Sequence, residues 1–395
     1  MQRLKFLNEI TSAFLVHPIV TLLGPRQCGK TTLARQYITA LKTTLPKINY
    51  FDLENLEDLA RLKNPLLTLK QLRGLIVIDE IQLLPDLFST LRVLIDAPDI
   101  EQRYLILGSA SRDLLNQSSE TLAGRIQYIQ LTPFNCKELD LHEETAVIDQ
   151  KLTNLWLRGG FPKSYCATSD KNSSIWRDAY IKTFLERDIP NLGIRIPSSN
   201  IRRFWMMLTH YHGNICNHSE LGRSMQLSGK TIKQYVDLLE STFMIRQLSP
   251  WFENIKKRQV KSPKIYFRDS GILHSLMRVH SHDDLLLNPK IGASWEGFML
   301  EEVLRLYDIE PEEAFFWSTQ SHAELDLMIV KGSKKFGFEF KYTDQPKLTK
   351  SMRIALECLN LENITVLYAG DKTFPLSEKV TVTNLPDLIK HNIQI

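Results

Sequence analysis

The sequence has few cysteines, little net charge and no long apolar run. Its five cysteines form no CxxC pair and no regular spacing, which favours a reduced cytoplasmic protein without a structural zinc site. A net charge of +4 over 395 residues is too small to indicate nucleic-acid binding unless basic residues cluster locally. No stretch is typical of a signal peptide or a membrane-spanning helix, so we expect no membrane contact.

The chain is long enough to form several folded domains. A length of 395 residues favours about two to four domains, and 43% hydrophobic residues can supply sizeable cores. The first segment, "MQRLKFLNEITSAFLVH", predicts an amphipathic helix whose apolar face is Leu4, Leu7, Ile10, Phe14 and Leu15.

Residues Leu22 to Tyr37, "LLGPRQCGKTTLARQY", carry glycines, a lysine and a hydroxyl at the spacing of a phosphate-binding loop. A short apolar strand precedes this loop and a helical pattern follows it, so its backbone N–H groups can hold the α- and β-phosphates of ATP. Lys30 would neutralise the β- and γ-phosphate oxygens, and Thr31 would ligate Mg²⁺. Cys28 is interpreted as small filler or as a thiol of depressed pKa, and Thr32 as a helix residue. The predicted nucleotide-binding residues are Gly24, Pro25, Arg26, Gln27, Cys28, Gly29, Lys30, Thr31 and Thr32.

Two further strands supply polar groups that suit this loop. The run Leu75 to Ile78 predicts a buried parallel strand that delivers Asp79 and Glu80 at its carboxyl end. Asp79 then suits the magnesium shell, and Glu80 suits activation of an attacking water. A third strand, "RYLILGSAS", ends in Ser109 and Ser111, either of which can contact the γ-phosphate or cap a helix.

These segments resemble the AAA+ ATPases, in particular a bacterial and archaeal group with a C-terminal domain of unknown function. The resemblance rests on "GPRQCGKTT", "VIDEIQ", "ILGSAS", "TLAGRIQYIQLTPF" and "LRGGFP", and it covers nearly the whole chain. It implies that Ser109 senses the γ-phosphate. It also implies that Arg125, in the segment "LAGR", contacts phosphate or a neighbouring subunit, with a surface salt bridge as the alternative.

Residues 141–200 are expected to be mostly helical. The segment "IWRDAYIKTFLERDIPNL" places Trp176, Tyr180, Ile181 and Phe184 on one apolar face, as in a lid or linker helix. Arg187, in "LERDI", resembles a recurrent family feature and is interpreted as an arginine finger or as a charge on a solvated helix face.

The next segment, "NHSELGRSMQLSGKTIKQYVDLLESTFMIRQL", predicts helix, turn, helix and strand. Ser228 can cap the second helix, whose outward side chains are Lys230, Lys233 and Gln234. A basic run follows between two apolar segments, as in the wing of a winged helix: Lys256, Lys257, Arg258, Lys261 and Lys264. The family's middle region also resembles a winged helix. DNA is the expected partner, and a protein-contact module is the alternative.

The last hundred residues carry acidic residues at three spaced positions. Glu296 lies in a predicted amphipathic helix, "GASWEGFMLEEVLRL", and a hairpin-like segment leads to Asp326, with Glu324 on the same strand face. In "KFGFEFKYT", alternation places Glu339 and Lys341 on one face of a strand.

This series resembles the restriction-endonuclease-like fold, with an acidic residue on the second strand and ExK on the third. The resemblance implies that Asp326 and Glu339 ligate a second Mg²⁺ or a Mn²⁺, that Lys341 assists, and that Glu296 supports the site. Carboxylate oxygens suit a hard divalent ion, and the lysine can stabilise an attacking hydroxide. The alternative is an amphipathic strand with exposed charges, in a platform that binds without cutting.

The sequence thus predicts an α/β P-loop NTPase (AAA+) domain with a parallel sheet, followed by three further regions. The expected boundaries are 1–140 for the ATPase core, 141–200 for the helical lid, 201–285 for the winged helix and 286–395 for the restriction-endonuclease-like α/β domain. In the first functional hypothesis, ATP and Mg²⁺ control DNA binding and a metal-dependent nuclease. In the second, the nucleotide gates binding to DNA or to a protein partner. The sequence leaves the oligomeric state open.

Overall fold

The computed structural model describes residues 2–41, 47–97, 102–109, 122–139, 145–192, 196–252, 262–319 and 323–391. The chain divides into two compact units that interleave in sequence. Unit 1 comprises Met1–Pro133, Phe184–Ile196 and Ser241–Met244; unit 2 comprises Phe134–Thr183, Pro197–Glu240 and Ile245–Ile395. Within the described ranges, no helix is both long and apolar enough to cross a membrane. Several predicted contact residues lie outside the described residues: Ser111, Lys256, Lys257, Arg258 and Lys261.

Unit 1 is built on a five-stranded sheet. Its strands are β1 (Ile19–Leu23), β2 (Ile48–Asp52), β3 (Gly74–Asp79), β4 (Gln102–Gly108) and β5 (Ile126–Gln130). Their order is β2-β3-β4-β1-β5, and every neighbouring pair is parallel. The helical elements are Leu4–Val16, Lys30–Leu41, Leu56–Arg61, Pro65–Lys70, Leu87–Ile95 and Ile189–Asn191, with a π-helical turn at Phe184–Asp188 and a 3₁₀ turn at Ile81–Leu83. All five residues of β1 are buried, as the apolar runs predict for a parallel sheet covered on both faces.

This sheet brings three sequence motifs to one edge. Strand β1 leads into the phosphate loop, β3 ends at Asp79, and β4 ends at Gly108, directly before Ser109. Because the strands are parallel and adjacent, their carboxyl ends meet at the same edge, where ligands bind in open α/β sheets. The predicted nucleotide site therefore occupies the expected position in the sheet.

The first part of unit 2 is mainly helical. Its helices are Thr145–Arg158, Pro162–Tyr165, Asp170–Thr183, Ser198–Leu208, His218–Met225, Gly229–Ser241, Ser270–Leu276 and His282–Leu286, with 3₁₀ turns at Cys136–Glu138 and Thr209–Tyr211. Three short strands accompany them: β6 (Asn214–Ile215), β7 (Ile245–Pro250) and β8 (Lys264–Phe267). The predicted helix, turn, helix and strand over 217–248 are observed, and the hydroxyl of Ser228 accepts the N–H of Thr231 at 3.0 Å, at the start of the second helix.

The second part of unit 2 extends the same sheet. Its elements, in chain order, are the helix Ile291–Leu306, a 3₁₀ turn at Pro311–Glu313, β9 (Ala314–Ser318), β10 (Glu324–Lys331), β11 (Lys334–Lys341), the helix Lys350–Leu359, β12 (Asn363–Tyr368), β13 (Phe374–Ser377), β14 (Val380–Thr383) and the helix Leu385–Lys390. Strand β10 is antiparallel to β9 and β11, whereas β12 is parallel to β11. Strand β7 pairs with β9, so one nine-stranded sheet runs β13-β14-β12-β11-β10-β9-β7-β8-β6. The expected boundary at residue 285 therefore falls inside one compact unit.

The helix Ile291–Leu306 is buried on most of its circumference, including two carboxylates that the sequence did not single out. Glu301 forms ion pairs with Arg246, Arg268 and Arg305. Burial alone would raise the pKa of Glu301, but these three guanidinium groups lower it to about 2. Glu302 accepts the backbone N–H of Cys136 at 2.6 Å. Each buried carboxylate of this network therefore has charged or N–H partners, which is the condition under which buried ions are tolerated.

Candidate functional site

The phosphate loop requires glycine at two positions for different reasons. A Cβ atom at Gly24 would lie 2.1 Å from the carbonyl oxygen of Leu131, so no larger residue fits without movement of the backbone. Gly29 has φ +103°, in the left-handed region that favours glycine. Burial raises the pKa of the Cys28 thiol, which matches the interpretation of Cys28 as small filler.

Lys30 is buried and folded back on its own loop. Its ammonium donates to the carbonyl oxygens of Gly24 at 2.9 Å and Pro25 at 3.0 Å. Phosphate oxygens are charged and therefore stronger partners for an ammonium than these neutral carbonyls. The ammonium of Lys30, which the sequence assigns to the phosphates, therefore lies at the loop and can exchange its carbonyl partners for phosphate oxygens.

Asp79 joins β3 to the phosphate loop. The hydroxyl of Thr31 donates to Asp79 Oδ2 at 2.8 Å, and the hydroxyl of Tyr50 donates to the same oxygen at 2.6 Å. Burial raises the pKa of Asp79, and the nearby Glu80 adds to this rise, while the two hydroxyl donors oppose it. A hydroxyl and a carboxylate oxygen side by side fit the preference of Mg²⁺ for hard oxygen ligands. The sequence motifs gave no signal for Tyr50, which lies on the neighbouring strand β2.

Glu80 is held by side chains at the ends of β3 and β4. Its carboxylate accepts hydrogen bonds from the hydroxyl of Ser109 at 3.1 Å and from the amide of Gln82. Gln82 also donates to Ser109 Oγ at 2.9 Å. Glu80 has φ +58°, a strained conformation for a residue with a side chain and one that clusters at functional sites. The structure therefore brings the predicted base and the predicted sensor together.

Arg26 is the centre of a cluster of ion pairs beside the phosphate loop. Its guanidinium donates to Asp188 Oδ1 at 2.7 Å and to Glu54, which also pairs with Arg187 at 2.9 Å. The residues around the adjoining cavity include Arg26, Glu54, Gln82, Ser109, Asp188 and Thr242. The pattern of phosphate-loop residues gave no signal for Glu54 or Asp188.

The two arginines named from the family resemblance lie in different settings. Arg125 makes a double hydrogen bond with Asp96, at 2.9 and 3.1 Å, and both side chains are exposed. This contact is the surface salt bridge that formed the alternative interpretation of Arg125. Arg187 is exposed but joins the ion pairs around Arg26 through Glu54.

Unit 2 brings together the acidic residues predicted for a nuclease-like centre. The carboxylate of Asp326, on β10, accepts the backbone N–H of Phe340 at 3.0 Å and lies 3.3 Å from the ammonium of Lys341. The same ammonium lies 2.5 Å from Glu339. Asp326, Glu339 and Lys341 therefore converge as the sequence pattern predicts.

Glu296 completes this cluster through residues of β8. Its carboxylate accepts the hydroxyl of Tyr266 at 2.6 Å and lies 3.4 Å from the ammonium of Lys264, which also pairs with Glu324. Lys264 was expected in the exposed basic wing, and that expectation is wrong. Its side chain is only 5% exposed, because β8 points it into the acidic cluster, where the carboxylates compensate its charge.

Mutual repulsion and burial perturb the acids of this cluster. Burial, with the charge of Asp326, raises the pKa of Glu339 to about 8 and that of Glu296 to about 7. Burial alone would lower the pKa of Lys264, but Glu296, Asp326 and Glu324 raise it above its ordinary value. The ammonium groups are therefore the resident cations of the cluster.

The carboxylate oxygens of this cluster are of the type that binds a divalent ion, but their arrangement does not suit one. In the part of the chain that the structure describes, no three His, Cys, Asp or Glu side chains are grouped so that they could hold a metal ion. The two lysines lie between the carboxylates instead. A divalent ion would have to displace at least one of these ion pairs.

The helix Gly229–Ser241 presents the side chains predicted to face DNA. Lys230, Lys233 and Gln234 are exposed, and Ile232, Val236 and Leu239 are buried. Lys233 pairs with Asp237 at 2.7 Å, which offsets part of the positive charge of this surface.

Three family models match successive parts of the chain. A family model described as an AAA domain matches residues 16–140. Two models described as domains of unknown function, DUF8612 and DUF4143, match residues 149–283 and 291–388. Among solved structures, a Walker-type ATPase of Pyrococcus abyssi matches 70% of this chain and 95% of its own, at 13% identity and a TM-score of 0.45.

Curated relatives extend over most of the chain. Uncharacterized proteins of Mycobacterium bovis (Mb2031c) and Mycobacterium tuberculosis (Rv2008c) are each 47% identical to it over 363 residues, which is 92% of this chain and 79% of each relative. An uncharacterized protein of Haemophilus influenzae is 23% identical over 277 residues, 64% of this chain and 68% of that protein. The chain therefore belongs to the same family as Rv2008c, and its residues 16–140 form an AAA domain of the P-loop ATPase type.

Proposed function

We propose that the chain hydrolyses ATP and that its nucleotide state controls contact between unit 2 and DNA. The observation that carries the ATPase part is the contact of Thr31 with Asp79 beside the pair Glu80 and Ser109. Lys30, Thr31 and Asp79 would hold the nucleotide and its Mg²⁺, which supply the scissile phosphate and neutralise its charge. Glu80 would accept a proton from the attacking water, and Ser109 orients that carboxylate.

Support for DNA as the partner comes from the middle of the chain. Three helices, Ser198–Leu208, His218–Met225 and Gly229–Ser241, precede strands β7 and β8, in the order of a winged helix. Lys230 and Gln234 lie exposed on the last of these helices, which is the helix that such domains place in a groove. The basic run from Lys256 to Arg258 follows β7 in the sequence.

A metal-dependent nuclease is the second candidate function. The order of elements from the helix Ile291–Leu306 through β9, β10 and β11 to β12 supports it, as does the convergence of Asp326, Glu339 and Lys341. The pairing of the carboxylates with lysines favours instead a centre that serves as a platform and does not cut.

A plasmid-nicking assay separates these two functions. Purified wild type, Asp326→Ala, Lys341→Ala and Glu80→Gln would be compared with Mn²⁺, with and without ATP. If unit 2 cuts DNA, Asp326→Ala and Lys341→Ala abolish nicking while ATP hydrolysis persists, and Glu80→Gln changes nicking in the presence of ATP. Nicking that persists in Asp326→Ala reveals a contaminating nuclease. No nicking by any form, with DNA binding retained, supports the platform.

A further inference from the structure

Arg26 is a positive group at the side of the phosphate loop that faces Glu80 and Ser109. It precedes Lys30 by four residues, and its side chain is only 16% exposed. The cavity that it lines also contains Gln82 and Ser109, at the ends of the strands that carry the predicted base and sensor. Arg26 and Lys30 therefore face different parts of the site: Arg26 lines this cavity, whereas Lys30 lies against the loop carbonyls.

Two carboxylates from distant parts of unit 1 hold Arg26. Glu54 follows β2, and Asp188 lies in the π-helical turn of the segment Phe184–Ile196, 162 residues away in sequence. The Asp188 side chain is 10% exposed and its contact with Arg26 is 2.7 Å. Glu54 has a second cation in Arg187, at 2.9 Å.

We infer that Arg26 is the residue that distinguishes a nucleoside triphosphate from a diphosphate, by leaving Asp188 and Glu54 for the terminal phosphate. A guanidinium binds phosphate oxygens as a two-pronged donor, as it binds carboxylates, so the exchange keeps its hydrogen bonds. The inference rests on the proposed binding of ATP at the phosphate loop. It makes Arg26, rather than Arg125 or Arg187, the arginine that meets the γ-phosphate.

The exchange has unequal consequences for the two carboxylates. Glu54 keeps Arg187, whereas Asp188 loses a 2.7 Å partner while it is nearly buried. A buried carboxylate that loses its partner is strongly destabilised, so the π-helical turn Phe184–Asp188 of this segment responds to the triphosphate by moving Asp188. The chain on both sides of this segment belongs to unit 2. The segment is thus the nucleotide-responsive element of unit 1.

Calorimetric titration with ADP and with a non-hydrolysable ATP analogue tests this inference. Arg26→Gln is expected to weaken binding of the analogue about ten- to a hundredfold and to change ADP affinity by less than about threefold, because a charge-assisted contact to the third phosphate is lost. Asp188→Asn is expected to raise the ratio of analogue affinity to ADP affinity about fivefold or more, since it releases Arg26. In the Arg26→Gln background, Asp188→Asn is expected to have no further effect on this ratio.

The matched control is Arg61→Gln, which removes another arginine of unit 1 from an ion pair, with Asp58 at 3.0 Å. It is expected to leave both affinities unchanged. Equal loss of analogue and ADP in Arg26→Gln, or an unchanged ratio in Asp188→Asn, would overturn the inference. If Arg26→Gln does not fold, Arg26→Lys serves instead and is expected to give a smaller loss for the analogue alone. Failure of the wild type to bind either nucleotide would overturn the ATP-binding proposal itself.

Discussion

The hydroxyl of Ser109 lies 3.1 Å from a carboxylate oxygen of Glu80, although 29 residues separate them in sequence. Gln82 donates to both side chains, so the ends of β3 and β4 are joined by one hydrogen-bonded group. A carboxylate that is fixed in direction can accept a proton from a water at a defined position. The predicted base therefore depends on two neighbours, of which the sequence singled out only Ser109.

Replacing Glu80 tests its role as base. Glu80→Gln should retain ATP binding and slow hydrolysis by about a hundredfold or more, because the amide cannot accept the proton. Ser109→Ala should slow hydrolysis less than Glu80→Gln does, since the carboxylate of Glu80 and its contact with Gln82 remain. Single-turnover hydrolysis at saturating ATP measures both effects. Hydrolysis by Glu80→Gln at the wild-type rate would show that the proton goes elsewhere.

Replacing Lys30 tests the phosphate loop itself. Lys30→Ala removes a charged donor worth about 1.5 to 3 kcal/mol and should weaken binding of ATP by about ten- to a hundredfold. Unlike Arg26→Gln, it should also weaken binding of ADP, because the motif assigns Lys30 to the β-phosphate as well as to the γ-phosphate. Equal affinity of wild type and variant for ATP would contradict the assignment of the loop.

The phosphate loop could be predicted because its whole motif is local in sequence. Gly24, Gly29, Lys30 and Thr31 lie within eight consecutive residues, and their spacing fixes the turn and the helix start. The amphipathic N-terminal helix was also predictable in type, since Leu4–Val16 is helical. Its buried face was only partly predicted: Phe6 is buried, whereas Leu4 and Leu15 are exposed. Periodicity defines a stripe, but the neighbouring elements decide which edge of the stripe is covered.

Contacts between distant strands could not be predicted in the same way. Lys264 belongs to a basic run in sequence, yet its partners Glu296 and Glu324 arrive from other elements. A basic residue in such a run is exposed only if its strand does not point the side chain into the protein. For Lys264, the pairing of β8 with β7 determines that direction. Asp188 escaped notice for the same reason, since nothing near it in sequence indicates Arg26.

The basic run beyond β7 should contribute to DNA binding. Replacing Lys256, Lys257 and Arg258 by Ala should weaken binding to all duplexes and reduce the salt dependence by up to about 0.9 log unit for each lost phosphate contact. The control replaces three exposed lysines elsewhere in unit 2 by Ala: Lys163, Lys171 and Lys182. Fluorescence anisotropy at several salt concentrations measures the slope. Unchanged affinity at low salt would favour a protein-contact role.

Lys264 should behave as a structural cation and not as a DNA contact. Lys264→Met leaves the carboxylates of Glu296 and Glu324 without this partner and should destabilise unit 2 by about 3 kcal/mol, as expected when one member of a buried pair is removed. Adding Glu296→Gln should recover part of that loss. All six tryptophans belong to unit 2, so tryptophan fluorescence during urea unfolding reports on this unit. If Lys264→Met had wild-type stability but bound DNA more weakly, Lys264 would instead be a DNA contact.

His274 gives unit 2 a predictable acid sensitivity. The ring is buried, with Nδ1 2.9 Å from the carbonyl oxygen of Leu157 and Nε2 2.7 Å from the hydroxyl of Ser294. Ser294 also accepts the indole N–H of Trp156 at 3.0 Å, so its hydroxyl proton is free to point to Nε2 of a neutral ring. Burial lowers the pKa of His274 to about 3. The unfolded chain takes up this proton near pH 6.5, and the folded chain does so only near pH 3.

Between these values the unfolded state binds more protons, so the free energy of unfolding falls as the pH drops below about 6.5. For one histidine the slope reaches about 1.4 kcal/mol per pH unit. His274→Gln should reduce the slope by about that amount near pH 5 and by about half of it near pH 6.5, where the unfolded histidine is half protonated, whatever its effect on stability at neutral pH. Exposed His391→Gln is the control. Urea unfolding followed by tryptophan fluorescence at pH 5, 5.5, 6 and 6.5 gives the slopes. Because wild type and variant share their buried carboxylates, the difference between their slopes isolates the histidine, and equal slopes would contradict its low pKa.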